Sequence, residues 1–557
     1  MIEQKKITNI KNAQEHSETY TDQELETIVD ERLQTHFEQL MQVPLDEAKA
    51  KAEPEHKIPR LMQSRLNAFQ QNAHSTECLR QRTHQILKQS RMQERLSALL
   101  ELLSNKAEQE EREMPLREHT IATPTFSADM KADYTILVPQ MLPVHFKLLQ
   151  GIFHRQGYNL EFLSNDGYSV TEQGLQNVHN DTCYPALLAI GQLLDAIKSG
   201  KYDLNRIALL LPQTGGGCRA SNYVYLLKKA LEKNGLTHIP VIALRLDSLN
   251  ASGLVITKGM LLKALFACFY GDMILWLKNQ TKPYEVISGH TDKVIDILTN
   301  QLDQSFANGS YIRLKKNYLR ILNAFKQIRL KDEKKPKVGI VGEIYMKYAP
   351  LGNNDLENYL IEQGAQPVVT GVLDFMFYSI NNTFVDAKLY KGPAFSNIFK
   401  KQAFLLLMKG QTLMAKIIRR HSDFMPPSSF TDVQKAARGC ISEGVKMGEG
   451  WLLTGEMIDL TENGVNNIVS AQPFGCLPNH IVAKGMIRAV KDRCPGANII
   501  AIDYDPGASH TNQENRIKLL LANANAELAG NTAQHRVLHL QNYQQAEATD
   551  DNASIRA

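Results

Sequence analysis

The sequence predicts an α/β protein with two lobes, each built on a parallel sheet, and three observations carry that prediction. Apolar runs of strand length alternate with stretches of helical spacing over residues 134–270, and again from residue 337 onward. This is the pattern of doubly wound parallel sheets. Within RIALLLPQTGGGCRASNYVYLLKK, residues 207–211 form a continuous apolar run, as expected of a strand buried on both faces. That run turns through Gly215-Gly216-Gly217 and Cys218 into Tyr223, Leu226, Leu227, Ala230 and Leu231, which recur at helical spacing. A buried strand that turns through glycines into a helix is where open α/β sheets bind ligands. Helix-start amides favour an anion there. A cysteine at a helix N-terminus is expected to have a lowered pKa, and its thiolate is the species that binds metal.

The bulk properties set bounds. A chain of 557 residues has room for three or four domains at ~150 residues each. A net charge of +4 gives no electrostatic argument for nucleic acid. No run approaches ~18 uninterrupted apolar residues, so no membrane partner is expected. MIEQKKITNIKN lacks the apolar core of a signal peptide. The seven cysteines are odd in number and include no CxxC pair, which argues against a disulfide framework, a zinc ribbon or a thioredoxin motif. A reducing, cytoplasmic setting is the expectation.

Residues 1–130 differ from the rest. The first of the 33 glycines is Gly151, and Gln, Glu, Lys, Arg and His dominate before it. Leu61, Leu66 and Phe69, then Ile86, Leu96, Leu99 and Leu100, predict amphipathic helices in a charged α-helical lead-in. MPLREHTIATPTFSADM reads as a linker. Residues 131–270 are the first α/β lobe, with strands at 134–138, 160–163, 207–211 and 240–246 and helices at 143–154, 184–197 and from 219. Residues 271–335 are a helical connector. Residues 336–530 are the second α/β lobe, opened by the strand KVGIVG, a polar loop at 343–354 and a helix at 356–362. A strand at 367–371, a helix at 395–419, a short strand at 467–471, a helix at 482–492, a strand at 499–503 and a helix at 511–524 follow. Residues 531–557 are a polar tail. Two lobes of similar design suggest a ligand cleft between them.

Three of the cysteines, Cys183, Cys218 and Cys476, share one setting: a polar turn rich in Gly, Pro or Asn where a helix begins. Cys78 lies in the charged lead-in, Cys268 in the apolar helix LLKALFACFY, Cys440 in the helix KAARGCISEG, and Cys494 in an exposed turn before Pro495. Three thiolates gathered at sheet edges suit an iron–sulfur cluster. Three protein ligands would leave one iron open as a Lewis acid. Three unrelated loop cysteines would give the same local pattern.

The segments DTCYPALLAIGQLLDAIKSGKYD, LLPQTGGGCRASNY, VGEIYMKYAPLGNNDLENYL, QPFGCLPNHIVAKGMI and DYDPGASHTNQENRIKLLL resemble the 2-hydroxyacyl-CoA dehydratase family over residues 132–527. The likeness is closest to its activase-related branch, in which such a region is fused behind ATP-binding activator domains in very large proteins. The resemblance implies two Rossmann-like lobes and a [4Fe-4S] cluster near the cleft, held by Cys183, Cys218 and Cys476. It implies an oxygen-sensitive, anaerobic lyase chemistry. An ATP-dependent activator of actin-like ATPase fold injects one low-potential electron, which reduces the thioester carbonyl of a bound acyl-CoA substrate to a ketyl radical. The 3-proton then becomes acidic enough to leave with the hydroxyl. The chain departs from that pattern in having no actin-like ATPase domain, so the activator would act in trans. The family's dehydratases pair two related subunits, which implies a homo- or heterodimer here. Family fold transfers better than family reaction.

Other readings stay open. Gly215-Gly216-Gly217-Cys218-Arg219-Ala220 fits G-x-G-x-x-A, and Asp247 ends the next strand, as in a dinucleotide site. The two lie 32 residues apart, against the ~20 expected. In this alternative, a Rossmann-type dinucleotide-binding oxidoreductase, Cys218 approaches no other cysteine. A further alternative is a non-enzymatic electron carrier or activator-docking partner. Arg219, Ser221 and Asn222 are candidates to orient a cluster or substrate anion, or simply cap a helix. Glu343, Tyr345, Lys347, Asn353 and Asn354 are candidate binding-loop residues. Asp503 and Asp505 flank Tyr504 as a base, as a hydrogen-bond partner of a substrate group or as turn-forming residues, and His480 is a further ligand, a proton carrier or a structural residue.

Overall fold

A computed structural model of the chain describes residues 121–179, 181–214, 217–244, 253–390 and 394–529. The helical lead-in up to residue 120 with Cys78, the glycines Gly215 and Gly216, Asp247 and the polar tail lie outside the described residues.

The first lobe runs β1 (Thr135–Val138), α1 (Pro143–His154), β2 (Asn159–Phe162), α2 (Tyr168–Asn177), α3 (Tyr184–Lys198), β3 (Ile207–Pro212), a 3₁₀ turn (Arg219–Asn222), α4 (Tyr223–Lys233) and β4 (Val241–Leu244). The four strands are parallel in the order β2-β1-β3-β4. Strand side chains alternate between faces. Ile136, Val138, Leu160 and Leu210 join the core that includes α1 residues, whereas Leu137, Leu209 and Leu211 join the core under α3 and α4. In α3, 13 of 15 residues are buried. The polar helix α2 lies on it at a Gly174–Gly191 contact, where a Cβ on Gly191 would stand 2.2 Å from the Val170 carbonyl.

The connector is α5 (Lys258–Thr281), α6 (His290–Asn308) and α7 (Leu314–Lys326). Among the described residues, Lys258–Tyr284 has the length and apolarity of a membrane span. In this fold α5 packs on α1, α7 and the second sheet, burying Tyr270, Met273, Ile274 and Leu277 completely.

The second lobe opens with β5 (Lys337–Gly342), α8 (Ile344–Tyr348), α9 (Pro350–Asn353), α10 (Leu356–Glu362), β6 (Gln366–Val369), α11 (Val372–Leu389) and α12 (Ala394–His421). It closes with α13 (Phe430–Ala437), α14 (Trp451–Glu462), β7 (Asn467–Pro473), α15 (Leu477–Val482), α16 (Ile487–Arg493), β8 (Asn498–Tyr504) and α17 (His510–Leu528). Its parallel strands follow the order β6-β5-β7-β8, matching the first sheet position for position. The structure corrects the sequence in several places. The expected polar loop at 343–354 is folded into α8 and α9, and the helix expected at 482–492 is replaced by a 3₁₀ turn at Lys484–Met486 followed by α16. Cys440 lies in a turn beyond α13, because Gly439 at φ +81° has ended the helix. Cys494 is buried at the end of α16 rather than exposed.

Asp272 of α5 joins the halves. Its Oδ1 bonds His145 Nε2 of α1 at 2.8 Å, and its two oxygens accept the Val372 and Leu373 amides that open α11, at 3.0 and 2.9 Å. A carboxylate satisfies otherwise unpaired amides at a helix start. One turn on, burial pushes Asp374 from 3.8 up to about 8, although Gln411 donates to it at 2.7 Å. A carboxyl with a raised folded pKa binds a proton that the unfolded chain has released. It therefore contributes stability below its ordinary pKa and loses it as pH rises toward 8. Asp374→Asn keeps an acceptor for Gln411 and removes the titration. Its unfolding free energy at pH 9 should exceed wild type by about 1–3 kcal/mol, with no gain at pH 4. Parallel denaturation curves at the two pH values check this, and an equal difference at both would refute it.

Candidate functional site

In both sheets the strand order reverses at one place, between β1 and β3 and between β5 and β7. Ligands bind outside the carboxyl ends of strands at such a point. Both reversal points open on one cavity of about 790 Å³. Cys218 follows β3 and Cys476 follows β7, so the two occupy equivalent positions, each heading a helical turn. Cys183 heads α3. All three thiol-bearing residues line the cavity, as do Arg219 and Glu343. The loops carrying Cys183 and Cys476 touch: the Tyr184 amide donates to the Phe474 carbonyl at 2.9 Å. Gly475 sits at φ +69°, and a Cβ there would lie 3.1 Å from Cys183 Cα. The Cys218 turn is tied to the second lobe by the Gly217 amide, 3.2 Å from Met447 Sδ.

The thiols do not have the lowered pKa values expected of helix starts. Burial pushes Cys183 up to about 11, and its contact with the Tyr223 hydroxyl at 2.9 Å offsets only part of that. Burial also raises Cys218, and it raises Cys476, where Glu343 and Glu449 add to the shift. Desolvation acts on the whole charge, whereas the dipole of one short turn offsets a fraction of it. All three are neutral thiols in this arrangement, and a bound metal would displace their protons.

Two carboxylates share the start of α8. Glu343 Oε2 accepts the Met346 amide at 2.9 Å, and Glu449 Oε1 accepts the Ile344 amide at 2.9 Å. Burial raises both, and mutual repulsion adds to the rise at Glu343, so the pair retains a proton through neutral pH. Beside them, Tyr345 is buried with a hydroxyl that has no hydrogen-bond partner among the described residues. Glu449 was not anticipated from sequence. Its one local sign is the Gly448-Glu449-Gly450 break ahead of an apolar helix.

The other candidates divide. Arg219 is exposed at the cavity rim. Ser221 bonds the Cys218 carbonyl at 2.7 Å, which is turn capping, and exposed Asn222 does not line the cavity. Asn353 is buried, donating to the Met346 carbonyl at 2.8 Å, and Asn354 donates to Gln513 at 2.9 Å. Both asparagines hold the second lobe together and do not line the cavity, correcting the binding-loop expectation. Lys347 is buried in an ion pair with Glu456. Asp503 pairs with Lys484, Asp505 accepts the Gly507 amide, and His480 is exposed away from the cavity.

Among the described residues, no three His, Cys, Asp or Glu side chains stand close enough to share one metal ion. Sulfur ligands of a single zinc lie ~2.3 Å from it, whereas thiolates of a cluster bind separate irons and stand farther apart. Three thiols spread around one cavity fit the cluster donor set. No protein-family model matches the chain, and no curated protein matches it.

Proposed function

We propose that the chain is an iron–sulfur protein resembling the catalytic component of 2-hydroxyacyl-CoA dehydratases. In this reading its lobes are Rossmann-like, and it works in an anaerobic cytoplasm with an ATP-dependent activator acting in trans. The observation that carries the reading is the meeting of Cys183, Cys218 and Cys476, from two lobes, on one cavity with room for a substrate. These cysteines would hold a [4Fe-4S] cluster. When bound, such a cluster supplies a low-potential electron and an iron position open to a substrate oxygen. The residues around it have separate duties. The Glu343–Glu449 pair holds a proton beside the thiols. Tyr345 forms part of the cavity wall, with its unpaired hydroxyl buried behind that surface. Arg219 presents a cation at the rim for the anionic part of a CoA thioester. The room in the cavity favours an enzyme over a sealed electron carrier. A dinucleotide enzyme expects Cys218 apart from other cysteines, and here it shares the cavity with two.

Anaerobically purified protein should contain about four irons and matching acid-labile sulfide per chain. Each of Cys183→Ala, Cys218→Ala and Cys476→Ala should lose them, and Cys268→Ala, half-buried against the core and away from the cavity, should keep them. Absence of iron in fresh anaerobic protein, even after reconstitution, would sink this reading.

A further inference from the structure

The cavity has two unlike ends. Among the described residues, its charged lining residues are Arg219, Glu343, Lys446 and Glu449, which come from the turn after β3 and from the second lobe. The β1-α1-β2 segment contributes none. There the cavity enters between a sheet face, carrying Val138, Leu160 and Leu210, and the helix α1, carrying Phe146, Leu149 and Phe153. In a packed interior that layer is filled by side chains. Here it is an apolar arm running down from the thiols. The Phe146 and Phe162 rings, 4.4 Å apart, stand near the carboxyl ends of the strands. Helix α1 runs back along β1, so Leu160 and Phe153 lie toward the far end.

The geometry points to a binding site for an unbranched acyl chain, with its hydrocarbon tail between α1 and the first sheet and its carbonyl end at the thiols. From Phe146 to Phe153 the helix advances about 10 Å, the reach of a chain of about eight carbons. The placement of the carbonyl end rests on the function proposed above; the tail site rests on the lining alone. An arm closed around methylenes selects chain length, because each methylene removed from water tightens binding by a similar factor.

The test is calorimetric titration of the full chain, anaerobically, with butanoyl-, hexanoyl- and octanoyl-CoA and with the free carboxylates of the same lengths. Kd should tighten about fourfold per methylene. A slope in both series places recognition in the tail, and a slope in the thioesters alone adds a required CoA end. Leu149→Trp should weaken octanoyl-CoA at least tenfold and leave butanoyl-CoA unchanged. Phe153→Ala should move the optimum to decanoyl-CoA, a gain that a misfolded variant does not show. A Kd independent of length in both series overturns the arm even if the protein carries iron. Iron-free protein that keeps the slope retains the arm and overturns the cluster reading.

Discussion

Lys347→Met is expected to destabilise the protein by about 3–5 kcal/mol, the cost of leaving one member of a buried ion pair uncompensated. The Lys347 ammonium lies 2.8 and 3.0 Å from the two oxygens of Glu456, and it also bonds Thr370 Oγ1, which donates to Glu456 at 2.6 Å. Lys347 and Glu456 are 4% and 1% exposed, so water cannot take over either charge. The double variant Lys347→Met with Glu456→Leu should recover most of the loss, since apolar replacement of both partners is close to neutral. Guanidinium titration of wild type, the single variant and the double variant checks both statements. A loss below about 1 kcal/mol in the single variant would mean that the pair is solvated. The pair also bears on the site, because Lys347 belongs to the same turn-and-a-half as Glu343 and Tyr345.

The second large effect is on the iron content that the proposed cluster predicts. In Gly475→Ala the new methyl would sit 3.1 Å from Cys183 Cα, 3.2 Å from the Thr182 carbonyl and 3.3 Å from the Cys183 nitrogen. All three are backbone atoms that cannot swing aside, so the Cys183 loop must move away from Cys476. Under the proposed cluster reading, iron content should fall below half that of wild type. The left-handed backbone itself costs a non-glycine residue about 1–2 kcal/mol, and that part must be separated out. Gly439→Ala does so: its φ is +81° and a Cβ there meets nothing within 4 Å. It should cost similar stability and keep its iron. Full iron in Gly475→Ala, or equal loss in both variants, would show that this contact does not set the spacing of the two cysteines.

Where the chain signals its structure locally, the sequence could be read. KVGIVG corresponds to β5 residue for residue, and Pro143 opens α1 where proline suits the first turn. The turns before α3, the 3₁₀ turn and α15 were legible from Pro and Gly beside cysteine. Helix α14 was not, because it buries ten of its twelve residues and shows no polar stripe to set a period. Helix α2 failed in the opposite sense, since its YSVTEQGLQN is too polar to stand out. The turn residues Asn353 and Asn354 looked like a binding loop because asparagine marks turns and ligand contacts alike. Their hydrogen bonds to the Met346 carbonyl and to Gln513 exist only in the folded lobe. The raised thiols could not be read either, because burial is a property of the assembled cleft.

The identical strand order of the two sheets, with Cys218 and Cys476 at matching places, builds the two halves on one plan with unlike linings. The first half offers the greasy wall and the second supplies the proton-holding groups. Such a division lets substitutions at positions 138–162 reshape the apolar wall while leaving the Glu343–Glu449 pair of the second half undisturbed.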